Sequence, residues 1–322
     1  MKRTYRFAAA LLLVMALASI LLTNLYVSAA RDTENNIQKA ADNTGKETGA
    51  SVQDGLAEHS RETFSVITSF YPMYIAAKNI VGDCEGVTLE NLSEPQTGCM
   101  HDYQLTTEDM RRLSAADVLI VNGGGIESFL ADVAAQYPKL AIINASEHTA
   151  LLDDNAHAWM SISEHRIQVR TIADKLAKLD AAHADSYEKN REQYLCQLDE
   201  LYEKQQEAAQ ETAGEKILIF HEAFDYMAQD YGMTVCGGMD LDEERQVSAG
   251  EVADVLRQIR TQEVRVILAE ELYGKRMCET LQKETDIGVI YLDTCVRGDY
   301  RADSYLRAME ENITRMRQAV SK

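Results

Sequence analysis

Three histidines and one aspartate follow apolar segments of the chain, and side chains of these types could together bind a divalent cation. His221 comes directly after KILIF, and Asp293 comes directly after GVIYL. His101 lies in the loop after VTLENL, and His157 lies in the loop after LAIINA. Imidazole nitrogens combined with a carboxylate suit a borderline cation such as Zn²⁺. If the four segments are parallel strands, we predict a metal site formed by these four residues.

Other residues compete for two of these positions. His148 also follows LAIINA, but its NASEHTA context has no apolar support, whereas His157 precedes AWM with the only Trp of the chain. Glu270 and Glu271 follow the apolar segment VRVIL and could replace Asp293. A single histidine in a loop is most often only a polar residue, so the assignment depends on all four residues meeting. Two further histidines are expected to lie solvated on helices: His165 and His183.

Alternating strands and helices are expected to position these residues. From Phe64 onwards, β-branched and aromatic runs such as FSVITSF alternate with helical patterns such as YPMYIAAKNIVG. This rhythm is typical of a parallel sheet covered by helices on both faces. In such sheets ligands bind beyond the carboxyl ends of the strands. We therefore predict an α/β fold with two similar domains, each a four-stranded parallel sheet flanked by helices.

The middle of the chain differs from both halves. Residues 184–211 contain no Gly or Pro, and apolar residues recur along one helical face at Tyr187, Tyr194, Leu198 and Leu201. This spacing predicts one long amphipathic helix. At 1.5 Å per residue such a helix spans roughly 40 Å. We expect it to join the two domains rigidly.

The predicted domain organisation has five parts. A signal peptide or membrane anchor covers 1–30, and a polar, disordered tether covers 31–62. The first metal-binding α/β domain covers 63–162, the helical segment covers 163–213, and the second metal-binding α/β domain covers 214–322. The tether composition is too polar and aperiodic to form a packed core.

The N-terminus indicates export. Lys2, Arg3 and Arg6 precede an apolar stretch that runs roughly from Phe7 to Leu22, and small residues follow in VSAAR. This order is typical of an export signal. The apolar stretch is also long enough for an uncleaved anchor. We expect a protein at the cell surface or in the periplasm, attached to the membrane surface if the segment is retained.

Charge and cysteine content exclude some classes of protein. The formal net charge is −20 and no basic stripe is present, so nucleic acid is not an expected partner. No CxxC motif occurs among the six cysteines, which argues against a thiolate zinc site. Export permits disulfides, and Cys84 with Cys99 is the only pairing that we predict. We expect a monomer.

The segment NGGGIE, which begins at Asn122, has two interpretations. Glycines between a strand and a helix can bind phosphate. However, the segment lacks the full spacing of a dinucleotide fingerprint and has no Lys-Ser/Thr after it. We therefore predict a tight strand-to-helix turn that requires positive φ.

Four segments give the chain a resemblance to a known family. VITSFYPMYIAAKNIVGD, HDYQLTTEDMRRLSAADVLIVNGGGIESFL, HAWMSI and IFHEAFDYMAQDYGM resemble the zinc/manganese solute-binding proteins of ABC importers, over roughly residues 64–320. The resemblance implies two α/β domains joined by one rigid helix. It also implies a binding protein, not an enzyme, which delivers a divalent metal to a membrane permease.

The resemblance implies the same four ligands. The HDY motif gives His101, the H-x-W motif gives His157, the first position of HEAF gives His221, and the acid after the last strand gives Asp293. Histidine at the third position is typical of zinc-type members, so the resemblance implies Zn²⁺, with Mn²⁺ as the alternative. The sequence departs from the family at Met100, where Pro is usual, and it lacks the His-rich loop of many zinc-type members.

Two other functions remain as alternatives. The first is a metal-dependent hydrolase with Glu222 or Glu271 as its base. HEAFDYM is not an HExxH motif, because its fifth position is Asp225. The second is an adhesin or sensor that keeps the fold and uses its surface. A manganese- or iron-specific binding protein is the alternative within the same family.

Overall fold

Two parallel sheets covered by helices form the protein, as predicted. The computed structural model describes residues 63–93, 100–101, 103–241 and 245–320. In chain order the first half contains β1 (Phe64–Thr68), α1 (Tyr71–Val81), β2 (Val87–Asn91), α2 (Thr107–Ala115), β3 (Val118–Val121), α3 (Leu130–Gln136), β4 (Ala141–Asn144) and two short 3₁₀ helices (Ala145–His148 and Ala158–Met160). Its sheet has the strand order β2-β1-β3-β4, and every pair is parallel.

The second half repeats this strand order after two long helices. The elements are α4 (Ile162–Leu179), α5 (Ala184–Thr212), β5 (Lys216–Ile219), α6 (Phe224–Asp230), β6 (Thr234–Gly238), α7 (Ala249–Gln262), β7 (Val266–Ala269), α8 (Glu271–Glu284), β8 (Gly288–Tyr291) and α9 (Ser304–Val320). Its sheet has the order β6-β5-β7-β8, again with parallel pairs. The carboxyl ends of β5 and β8 therefore lie at the same edge of one sheet.

The long helix α5 has 29 residues and agrees with the predicted rod. Tyr187, Tyr194, Leu198 and Leu201 are all buried, as the apolar spacing predicted. The helix packs against α4, α9 and α1, so it contacts elements from both halves. The apolar stripe of α5 therefore packs against both halves of the protein.

Helix starts follow the local sequence signals. The Thr106 side chain accepts a hydrogen bond from the backbone N–H of Asp109, and the Asp109 carboxylate accepts one from the N–H of Thr106. Ser248 and Glu251 form the same reciprocal capping box at the start of α7. Each box satisfies backbone donors that would otherwise have no partner inside the helix.

Gly123 follows β3, where the glycine run was predicted to need positive φ. Its φ is 84°, and an added Cβ would lie 2.0 Å from Oδ1 of Asn144. The backbone conformation and the neighbouring side chain both exclude a larger residue.

We expect Gly123→Ala to destabilise the protein by more than about 1 kcal/mol, because alanine is strained at positive φ. Chemical denaturation of both proteins measures this difference. Gly125→Ala is the matched control for the clash, since Gly125 has φ 87° but no atom within 4 Å of an added Cβ. Equal losses in the two variants would mean that the Asn144 contact contributes nothing.

One hydrophobic core extends through both halves. Trp159 from the first half, Phe224 from α6 and Tyr305 from α9 belong to the same cluster of buried residues. The Trp159 indole Nε1 donates to the carbonyl of Thr294 at 2.9 Å, and the Tyr305 hydroxyl donates to the carbonyl of Trp159 at 2.7 Å. A smaller cluster fills the space between the second sheet, α7 and α8.

His165 is buried, so the prediction that it is solvated is wrong. Its ring stacks on Tyr305 with centroids 4.1 Å apart, and its Nδ1 lies 3.2 Å from Oε1 of Gln168. Burial lowers the pKa of this imidazole to about 4. His183 is partly exposed and lies within hydrogen-bonding distance of Asp180.

Three sequence expectations concern residues near or beyond the described ranges. Within those ranges no helix is long and apolar enough to cross a membrane. The predicted leader or anchor at 1–30 and the tether at 31–62 lie outside the described residues. The predicted Cys84–Cys99 disulfide involves Cys99, which also lies outside the described residues.

Candidate metal site

His101 reaches the cleft from the loop between β2 and α2. The preceding Met100 is fully buried, so the backbone is anchored directly before the imidazole. The Tyr103 hydroxyl donates to the Asp109 carboxylate at 3.0 Å and ties the loop to the first turn of α2. The His101 side chain remains 38% exposed. Asp102 lies outside the described residues.

His157 is the buried member of the site. It directly precedes a short 3₁₀ helix, and its exposed fraction is 0%. Its Nδ1 lies 2.8 Å from Oδ1 of Asn155, which fixes the orientation of the ring. Burial holds the pKa of His157 well below its usual range, and the neighbouring His221 and His101 lower it further.

A buried polar network supports the loop that carries His157. The Asn122 amide donates to the carbonyl of Ala156 at 2.8 Å, and Asn122 Oδ1 accepts from Gln168 Nε2 at 2.8 Å. The Glu127 carboxylate accepts from the backbone N–H of Asn122 at 2.7 Å and from the Ser69 hydroxyl at 2.8 Å. Burial raises the pKa of Glu127, while these donors oppose the shift. The glycine turn thus has a structural role.

His221 and Glu222 follow β5 and point to different surroundings. The His221 side chain is 1% exposed, and its Nδ1 lies 3.7 Å from Oε2 of Glu270. The Glu222 side chain is 48% exposed, with Oε1 3.7 Å from Nε2 of His101 and 3.5 Å from Nδ1 of His157. His221 therefore faces the interior, whereas Glu222 faces the cleft.

Asp293 follows β8 and is held by its neighbours. Its backbone N–H donates to Oδ1 of Asn312 at 2.8 Å, and its own Oδ1 accepts from the N–H of Cys295 at 2.7 Å. Desolvation raises the pKa of this carboxyl, and the nearby Glu270 carboxylate raises it further, while the Cys295 N–H opposes both.

The structure brings the three predicted histidines together. The ring centroid of His157 lies 5.3 Å from that of His101 and 5.0 Å from that of His221. Across the described part of the chain, the residues grouped with ligand atoms within 4.8 Å of one another are His101, His157 and Glu222. Neither His221 nor Asp293 is in that group.

The three alternative ligands suggested by the sequence lie in different surroundings. His148 is exposed at the end of a short 3₁₀ helix and is not in the group of ligand atoms. Glu271 pairs with Lys275 at 2.8 Å on the surface of α8. Glu270 lies beside His221, so it remains an alternative to Asp293.

The sequence interpretation missed Glu222 as a candidate ligand and considered it only as a hydrolytic base. The signal was available, because Glu222 is the second residue after KILIF and directly follows His221. A cleft of about 800 Å³ opens beside it, and its lining includes His101, Gly124, Asp154 and Asn155. This opening gives a hydrated cation access to the group.

Comparison with known proteins identifies a matching family. The model of the family described as zinc-uptake complex component A, periplasmic, matches residues 66–319. The high-affinity zinc uptake system protein ZnuA of Bacillus subtilis (strain 168) is 24% identical over 298 residues, covering 84% of this chain and 92% of that protein. The iron-binding protein YfeA of Yersinia pestis is 27% identical over 261 residues, covering 76% of this chain and 82% of that protein.

Solved structures share the fold. FpvC from Pseudomonas aeruginosa, solved in complex with Mn²⁺, has a TM-score of 0.72 and 26% sequence identity. The match covers 80% of this chain and 98% of that chain.

Proposed function

The chain belongs to the family of periplasmic zinc-uptake component A proteins, and on this premise we propose that it is the extracytoplasmic substrate-binding component of an ABC importer. It captures a divalent transition metal in the cleft between the two sheets and delivers the metal to a membrane permease. The meeting of three imidazoles from separate loops, with ring centroids 5.3 and 5.0 Å apart, is the observation that supports this function.

The proposed ligands are His101, His157, His221 and Asp293. Asn155 fixes the orientation of the His157 ring, as partners of metal-binding imidazoles commonly do. His221 and Asp293 each neighbour Glu270, so the three residues lie on the side of the second sheet. Glu270 is the alternative fourth ligand.

Zn²⁺ is the proposed cargo. Three imidazoles favour zinc, whereas manganese prefers a larger share of oxygen ligands. A manganese- or iron-specific protein of the same family is the alternative, since relatives are named for zinc and for iron and one neighbour was solved with Mn²⁺.

A metal-dependent hydrolase gains no support. Binding by four protein ligands would leave no open position for an activated water. Glu222 lies beside two of the imidazoles, and this location fits a ligand as well as a base. We therefore propose that the protein binds and releases the metal without catalysing a reaction.

We propose an exported monomer, at the cell surface or in the periplasm. The N-terminal segment, with Lys2, Arg3 and Arg6 before its apolar stretch, directs export and anchors the protein to the membrane surface if it is retained.

Competition titration of the metal-free protein tests the choice of metal, with Zn²⁺ expected to bind more tightly than Mn²⁺. Replacing His221 with glutamate exchanges nitrogen for oxygen, so we expect the ratio of Zn²⁺ to Mn²⁺ affinity to fall by about tenfold, or about 1.4 kcal/mol. His148→Glu adds the same charge outside the site and should leave the ratio unchanged. Tighter binding of Mn²⁺ by the unmodified protein would contradict the proposal of zinc.

A further inference from the structure

Glu222 is a carboxylate at the exposed side of the histidine cluster. Its Oε1 lies 3.7 Å from Nε2 of His101 and 3.5 Å from Nδ1 of His157. The side chains of Glu222 and His101 are 48% and 38% exposed, whereas that of His157 is fully buried. Glu222 and His101 both line the cleft of about 800 Å³, so a cation arriving from solvent meets them first.

Contacts between the two halves fix the backbone of Glu222 relative to His157. The Asn155 amide donates to the carbonyl of Glu222 at 2.8 Å, and Asn155 Oδ1 accepts from the backbone N–H of His157 at 3.0 Å. The Tyr226 hydroxyl donates to the carbonyl of Asn155 at 2.7 Å. One asparagine thus sets the spacing between a residue after β5 and a residue after β4, and the carboxylate stays near the imidazoles.

The other carboxylates have partners of their own. Glu270 is 12% exposed and neighbours His221, while Asp293 is exposed and accepts a hydrogen bond from the backbone N–H of Cys295. His157 lies between the two sets, with its ring near both His101 and His221. Ligand groups therefore extend from the cleft to the interior, with His157 at the centre.

We propose that Glu222 is an entry ligand, which binds the incoming cation together with His101 and His157 before His221 is engaged. This inference rests on the proposed function and adds a residue that the family resemblance did not assign. Glu222 attracts the cation by its charge and supplies an oxygen while the cation still retains water. The cation then moves toward His221 and exchanges that oxygen for the interior ligands.

Stopped-flow measurement of Zn²⁺ association tests the first step. We expect Glu222→Gln to lower the association rate constant by about tenfold or more at low ionic strength, because charge near a binding site acts mainly on the association rate. Asp154→Asn is the matched control, since Asp154 lines the same cleft and asparagine tolerates its φ of 63°. We expect Asp154→Asn to change the association rate constant by less than about threefold, because the proposal assigns the effect to direct contact between Glu222 and the cation. Equal effects of the two variants would overturn the proposal.

Removal of the interior histidine tests the entry ligands at equilibrium. In His221→Ala, His101, His157 and Glu222 should still bind Zn²⁺ with reduced affinity. Adding Glu222→Gln to this variant should weaken the remaining affinity by about tenfold or more, whereas adding Asp154→Asn should not. An unchanged affinity in the Glu222 double variant would contradict the entry role. If instead the unmodified protein bound no transition metal, the proposed function itself would fail.

Discussion

Replacing His157 with alanine is expected to weaken Zn²⁺ binding by about 100-fold or more. Free energies for zinc bound by four protein ligands are about 10–16 kcal/mol, or about 3 kcal/mol for each ligand. The His157 ring neighbours those of both His101 and His221, so its loss removes the imidazole that links the two sides of the site. Competition with a chromophoric chelator measures the affinity of the variant.

His148→Ala is the matched control for this substitution. His148 follows the same strand but is exposed and outside the group of ligand atoms. We expect its affinity to equal that of the unmodified protein. Removal of His157 also opens space beside Trp159, so thermal unfolding of the metal-free variant must show a folded protein. An affinity for His157→Ala within about threefold of the original would remove His157 from the site.

Zn²⁺ affinity is expected to fall by about 25-fold or more between pH 7 and pH 5. A ligand imidazole must be neutral, and an imidazole that titrates at the usual value of about 6.5 loses about 25-fold in affinity over this interval. The pKa of His157 is held well below that range by burial. The His157 imidazole therefore stays neutral as the pH falls, so His157 itself contributes little to the loss of affinity.

Titrations at pH 7, 6 and 5 with a chelator of known proton affinity measure this dependence. Circular dichroism at each pH provides the control that the protein remains folded. A flat profile would mean that histidines are not the ligands.

The regular elements were predictable because their signals are local. The periodicity of α5, the capping boxes that begin at Thr106 and Ser248, and the positive φ of Gly123 each depend on residues within a few positions of one another. The parallel sheets followed from the alternation of strands with helices. The burial of His165 was not predictable in this way, because Tyr194 and Tyr305 approach it from helices far away in sequence.

The positions of the candidate ligands were predictable only in part. Topology brings the residues that follow parallel strands to the carboxyl edge of each sheet, and this expectation agrees with the approach of His157 to both His101 and His221. The direction of each side chain depends on tertiary contacts. Asn155 holds Glu222 beside His157, whereas Asn312 and Cys295 hold Asp293 near Glu270. None of these partners is marked by a motif in the sequence.

The shared core has a consequence for how the protein unfolds. Trp159 and Tyr305 lie in one buried cluster although they belong to opposite halves of the chain, and α5 packs against elements of both. Loss of either half would expose these aromatic side chains and the apolar stripe of α5 to water. The two halves should therefore unfold in a single cooperative transition, and a polypeptide ending between β4 and β5 should aggregate instead of folding alone. For this protein the unit of stability is the pair of sheets together with the helix between them.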